Sequence, residues 1–217
     1  PNSLWPGYPK ARFFHHIYTG GHFLNSVVPE WWLEQNRTDE PEVLQLRPIY
    51  MRSADPKTVR LSAYHLARAL ELQKDFSKAL FYARIALDRS IQLRRADYTA
   101  SSHNQMGNIL TCQSYFAEAA LHYGKALETL PGEYPLLHAL ISDNLGYCRI
   151  ALGDAAEGVA LCSGALDILE THDASPGFLI YPHTDLCLGH LELGQMDRAI
   201  EHGRMALEIA RFQSNAE

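Results

Sequence analysis

Between Thr99 and Pro131, small and apolar residues recur at three- and four-residue steps on both sides of a short polar break. Met106, Gly107 and Leu110 precede it, and Ala119, Tyr123 and Ala126 follow it. That period belongs to a helix with one apolar face, so the stretch predicts a helix, a tight turn and a second helix. A hairpin of this kind cannot bury its apolar face alone and needs neighbours.

The chain supplies them by repeating the pattern. An alanine near the end of each second helix recurs at Ala86, Ala126, Ala165 and Ala206, with spacings of 40, 39 and 41 residues. Seven positions before each stands a small residue (Ala79, Ala119, Gly158, Ala199). Twenty positions before each stands a large apolar residue (Leu66, Met106, Leu145, Leu186), followed at once by a small one (Ala67, Gly107, Gly146, Cys187). Small side chains let paired helices approach closely, and the large neighbour fills the groove they leave. The pattern predicts helix pairs at about 60–73 with 76–94, 98–112 with 115–130, 135–151 with 154–171, and 178–193 with 196–212. The chain is therefore expected to be all-α, with repeats at 60–99, 100–138, 139–179 and 180–217.

Residues 1–59 do not share this pattern and are assigned to an irregular, partly helical N-terminal cap or extension. PNSLWPGYPK is rich in turn formers, and ARFFHHIYTGGHFLNSVV is dense in apolar and aromatic residues but broken at Gly20 and Gly21. PEWWLEQN carries Pro29 and Glu30 where a helix starts, and PEVLQLRPIYMRS suggests another short helix, kinked or stopped at Pro48. At least one of Trp31 and Trp32 is expected to pack against the first repeat.

Met106-Gly107, Leu110, Phe116, Ala119, Tyr123, Ala126 and Pro131 resemble the signature of the tetratricopeptide repeat family, over about Arg60 to Phe212. Gly153 and Gly194 stand at the inter-helix turn as in the family, with Lys74 and Ser114 in that place in the first two repeats. The aromatic expected before the second-helix alanine is replaced by Ala83, Cys162 and Gly203 in repeats one, three and four. The period near 40 is similar to the long-repeat subset that includes kinesin light chains and many bacterial regulator domains. The resemblance implies a right-handed superhelical array of antiparallel helix pairs whose first helices line a concave surface.

Mapped through the repeat, that surface carries Tyr64, His65, Arg68 and Glu71, then Ser101, Asn104, Gln105, Asn108 and Thr111. The third repeat adds Asp143, Asn144 and Tyr147, and the fourth Tyr181, Thr184 and Asp185 with Leu188 and Leu191. The implied peptide-binding set is Tyr64, Arg68, Asn104, Asn108, Asp143, Asn144, Tyr147, Tyr181 and Thr184. Amide side chains donate and accept, which suits Asn104, Asn108 and Asn144 to gripping an extended peptide backbone. The competing reading is a solvated polar face. A clamp for C-terminal carboxylates, known in the family, needs several basic residues here, and Arg68 alone qualifies.

Composition narrows the partners. A net charge of −6 disfavours nucleic acid and anionic membranes, because neutralising phosphates needs clustered Lys and Arg. No run approaches the roughly 20 apolar residues of a membrane span. Cys112, Cys148, Cys162 and Cys187 stand far apart without a C-x-x-C pair, which points to reduced thiols used as small core residues and to a cytoplasmic setting. The start at Pro1, without a signal-like segment, suggests a fragment of a longer chain. The function expected is a protein or peptide interaction scaffold without cofactor or metal, and the alternative is a sensory or self-association domain of a larger regulator or enzyme. Apolar residues on the last helix (Ile200, Met205, Leu207, Ile209) suggest self-association through the array ends.

Other chemistry is weaker. His15, His16 and His22 lie close in sequence but lack further ligands at metal spacing. His103, His122, His138, His183 and His202 read as scattered, partly exposed helix residues. Arg84, Arg89, Arg94 and Arg95 crowd the end of a helix, where positive charge complements the dipole. Asn36 heads a single glycosylation triplet. No nucleophile elbow, H-E-x-x-H or phosphate-cradling loop occurs, so the chain is expected to be non-catalytic.

Overall fold

The computed structural model describes residues 55–214, and the expectations for residues 1–54, including the His15 group, the two tryptophans and Asn36, lie outside them. Among the described residues the protein is all-helical, with eight α-helices and one short 3-10 turn. The helices are α1 (Pro56–Leu72), α2 (Phe76–Gln92), α3 (Ala96–Cys112), α4 (Phe116–Thr129), α5 (Pro135–Ala151), α6 (Ala155–Thr171), α7 (Ile180–Glu192) and α8 (Met196–Ser214), with the 3-10 turn Pro176–Phe178 before α7. Each helix falls where the repeat predicts it. The largest shift is at the start: α1 opens at Pro56 rather than at Arg60, because Asp55 caps it, accepting from the Thr58 amide at 2.9 Å and the Thr58 hydroxyl at 2.6 Å. Pro56 then takes the first helical position, where its missing N–H costs nothing.

The described helices fall into two compact units, α1–α2 and α3–α8. In the first, Ala63 and Ala67 of α1 face Ala79, Ala83 and Ala86 of α2, all at 0% exposure, with Leu66, Leu70 and Tyr82 filling the seam. In the second, three hairpins stack in chain order: α3 on α4, α5 on α6, α7 on α8, with α4 against α5 and α6 against α7. The first helices of these hairpins also meet, α3 with α5 and α5 with α7, so they line one side of the unit.

Glycines set the closest approaches. A β-carbon on Gly107 would stand 2.5 Å from the Tyr123 ring, and one on Gly146 2.5 Å from Cys162 Sγ. Gly158 faces Gly146 so closely that its β-carbon would meet the Gly146 carbonyl oxygen at 2.6 Å. The small-residue positions of the repeat are thus sites of helix contact.

Each hairpin turns through one left-handed residue: Lys74 (φ 62°), Ser114 (φ 63°), Gly153 (φ 95°) and Gly194 (φ 70°). The next amide closes back onto the helix, Asp75 N to Leu70 O at 2.9 Å and Tyr115 N to Leu110 O at 3.0 Å, with equivalents at Asp154 and Gln195. Lys74 and Ser114 carry a β-carbon penalty there that glycine does not. Lys74→Gly and Ser114→Gly should each stabilise by about 0.5–1 kcal/mol, and Gly153→Ala should cost about 1 kcal/mol, read from urea midpoints.

Candidate functional site

On the lined side of the second unit, Asn104 of α3 and Asn144 of α5 meet across neighbouring repeats. Asn144 Nδ2 donates to Asn104 Oδ1 at 3.2 Å. Asn104 is 0% exposed, and its own Nδ2 has no acceptor among the described residues. A buried amide donor without a partner costs about 1–3 kcal/mol, so such groups are rare unless something else supplies the acceptor.

The other positions implied by the repeat divide by their surroundings. Asn108 is buried and turned toward its own hairpin: Tyr123 OH of α4 donates to Asn108 Oδ1 at 2.8 Å. Thr184 Oγ1 donates to the Ile180 carbonyl at 2.7 Å within α7. Tyr147 packs edge-on against Phe116, with ring centroids 5.8 Å apart. Burial, then the charge of Asp185, raises its phenol above the ordinary range. Tyr181 is half-buried on α7. In the first unit, Tyr64 is buried beneath the Arg60 guanidinium, 4.8 Å from its ring, and Arg68 is half-buried on the same helix. In the second unit the positions of Asn104, Asn108 and Asp143 are buried rather than part of a solvated polar surface, and in the first unit Tyr64 is buried as well.

Beside the two asparagines lies an acidic cluster. A carboxylate oxygen of Asp143 (α5), one of Asp185 (α7) and Cys162 Sγ (α6) all lie within 4.8 Å of one another. Cys162 is fully buried, its Sγ contacts the Asp143 carbonyl at 3.8 Å, and burial with the two nearby carboxylates pushes its thiol well above the usual range. It stays protonated and is a poor nucleophile. The cluster thus gathers two carboxyl groups from α5 and α7 around a buried thiol of α6.

Sequence reasoning missed the histidines. His183 is buried rather than partly exposed, and His190, for which the sequence carried no expectation, is buried too. His103 of α3 meets His122 of α4 with Nδ1 atoms 3.1 Å apart, and His183 of α7 meets His202 of α8 at 3.0 Å. Both pairs are 19 residues apart and occupy the same two places in repeats two and four. That shared spacing was the available signal. Burial, then the facing ring, draws His103 and His183 down to about 4, and burial lowers His122 and His202 as well. Two arginines of the stripe make local structural contacts: Arg95 forks onto Asp97 at 2.6 and 2.8 Å and lies over Tyr98, and Arg89 donates to Gln92.

The sequence matches no family model and no curated protein sequence. Solved structures do match. BtubC from P. vanneervenii is 22% identical with a TM-score of 0.69 and covers 84% of this chain and 77% of its own. A Rap protein in complex with competence and sporulation factor is 20% identical with a TM-score of 0.68, over 78% of this chain and 47% of that one. TPR-like repeats of a kinesin light chain from Podosopora anserina are 18% identical with a TM-score of 0.56, over 84% and 88%. The chain has a tetratricopeptide-like repeat fold. At these identities the likeness concerns the fold, and the site rests on this chain's own residues. Among the described residues, no helix is long and apolar enough to cross a membrane.

Proposed function

We propose that the protein is a non-catalytic interaction scaffold that holds an extended peptide bearing a basic side chain along the side lined by α3, α5 and α7. The observation that supports this is the Asn144–Asn104 contact across neighbouring repeats: buried Asn104 holds the half-buried Asn144 amide, whose remaining donor and acceptor suit a peptide backbone. Asp143 and Asp185, whose carboxylates lie close together on α5 and α7, are the residues assigned to the basic group, with Tyr147, Tyr181 and Thr184 as further proposed contacts. The Rap structure with competence and sporulation factor supports the reading by analogy of fold. The four free cysteines fit a reducing, cytoplasmic setting, and the acidic charge fits a partner that is neither nucleic acid nor membrane.

The test is a peptide-array screen of the chain followed by affinity measurement. Asn104→Ala and Asn144→Ala should each weaken the best binder by about 3–10-fold, the equivalent of one hydrogen bond. Asp185→Asn should weaken peptides with Lys or Arg and leave neutral ones alone. Undiminished affinity in the asparagine variants for every peptide found would sink this groove.

A second reading, a self-association domain of a larger regulator or enzyme, is favoured by the exposed apolar side chains of α8: Met196, Ile200, Leu207 and, at 70% exposure, Phe212. A strict monomer in light scattering across a wide concentration range would remove it.

A further inference from the structure

The imidazole pairs are among the described titratable groups that the scaffold reading leaves unused. In each, Nδ1 atoms lie 3.0 or 3.1 Å apart while the ring centroids stand 5.3 Å apart. The rings therefore meet end-on, each Nδ1 aimed at the other. Chelation of a metal would need both lone pairs to converge on a third point. An end-on pair is instead a hydrogen bond, Nδ1–H of one neutral ring donating to the Nδ1 lone pair of the other.

The geometry points to a pair of proton-operated clasps, His103–His122 and His183–His202, that close helix onto helix in repeats two and four and open in acid. A neutral pair shares one Nδ1–H. One added proton settles on Nε2 of the donor ring, and the Nδ1–H···Nδ1 bond survives. A second added proton must occupy the acceptor's Nδ1, which abolishes the bond and sets two cations face to face. Each clasp therefore opens on its second proton.

The surrounding charges agree. Lys125 of α4 faces the first pair and opposes protonation. Around the second, His190 of α7 stacks on His202 with planes 8° apart and centroids at 5.5 Å, and Arg198 of α8 adds to its opposition, while Glu201 of α8 acts the other way. His190 is itself tied by Nδ1 to Gln195 Oε1 at 2.8 Å. The clasps join α3, which carries Asn104, to α4, and α7, which carries Asp185, to α8, so opening would loosen the helices that line the candidate face. The clasps would work in the same way with no peptide bound.

The folded pairs resist protons that the unfolded chain binds near pH 6.5, so by linkage stability is full above that pH and falls as pH drops from about 6.5 toward 4. The direct test is a nitrogen-detected NMR titration of the imidazoles in the whole chain. At pH 7.5 each pair should show one Nδ1–H ring and one Nε2–H ring, with protonation in two linked steps. Four Nε2–H rings, or independent titration near pH 6.5, would overturn the proposal.

The variant test uses His122→Asn with His202→Asn, since an asparagine amide can reach the Nδ1 place without titrating. The double variant should melt like the parent at pH 7.5 and lose about half of the parent's fall in Tm between pH 7 and 4.5. An unchanged fall overturns the idea. Should the variant fail to fold, the ring titration of the unmodified chain decides by the same criterion.

Discussion

Gly158→Ala should destabilise the protein by about 2–3 kcal/mol, although replacing a glycine inside a helix by alanine ordinarily gains up to about 1 kcal/mol. The reversal comes from the contact between α5 and α6. A β-carbon at 158 would lie 2.5 Å from Ile150 Cγ1, 2.6 Å from the Gly146 carbonyl oxygen and 3.0 Å from the Ile150 amide nitrogen. Two of those atoms are backbone, so relief requires the helices to separate. Separation would strip cover from Cys162, Leu166 and Leu186, the buried cluster at this level. Gly124 and Gly164, where an added methyl would have nothing within 4 Å, are the controls. Alanine at either should stabilise by about 0.5–1 kcal/mol. Urea unfolding of the three variants separates the cases by sign. A stabilised Gly158→Ala protein would mean that the α5–α6 crossing is looser than described.

Tyr123→Ala should cost about 3–5 kcal/mol. The side chain is 1% exposed and fills the space that Gly107 leaves open, and its hydroxyl ties Asn108 Oδ1 at 2.8 Å with Thr111 Oγ1 at 3.1 Å. Tyr123→Phe keeps the ring and removes the hydroxyl, for about 1–2 kcal/mol, because Asn108 keeps a buried oxygen without its donor. Adding Asn108→Leu to Tyr123→Phe should therefore cost less than the sum of the two single changes, and a double-mutant cycle reads that coupling. Additive costs would show that the Tyr123–Asn108 bond contributes nothing. Gly107→Ala, harmful in the parent, should be tolerated beside Tyr123→Ala, since the clash is with that ring.

The fold was legible because it rests on local signals that repeat. Ala86, Ala126, Ala165 and Ala206 mark the same packing demand four times, and each copy independently checks the others. The hairpin turns were legible even where glycine is missing, since Lys74 and Ser114 take the left-handed backbone that Gly153 and Gly194 announce. The start of α1 was misplaced because alignment to the repeat carries no information about a cap, and Asp55 with Pro56 overrides it.

The candidate site was legible in part. Repeat position put Asn104 and Asn144 on the same side, yet it could not tell that Asn108, four residues along α3, turns its oxygen to Tyr123. Nor could it join Cys162, on a second helix, to Asp143 and Asp185 on two first helices. The histidines show the same limit. Their 19-residue spacing is visible in the sequence, but the end-on geometry depends on the distance between two helices.

By itself, then, the sequence determined the class of fold and, among the described residues, the succession of helix pairs and most of their borders, because periodicity and residue size act within a few turns of the chain. Only the tertiary structure decided which polar side chains become partners. A hydrogen bond is won or lost over a few tenths of an ångström, and that margin is set by how closely Gly107, Gly146 and Gly158 let the helices meet.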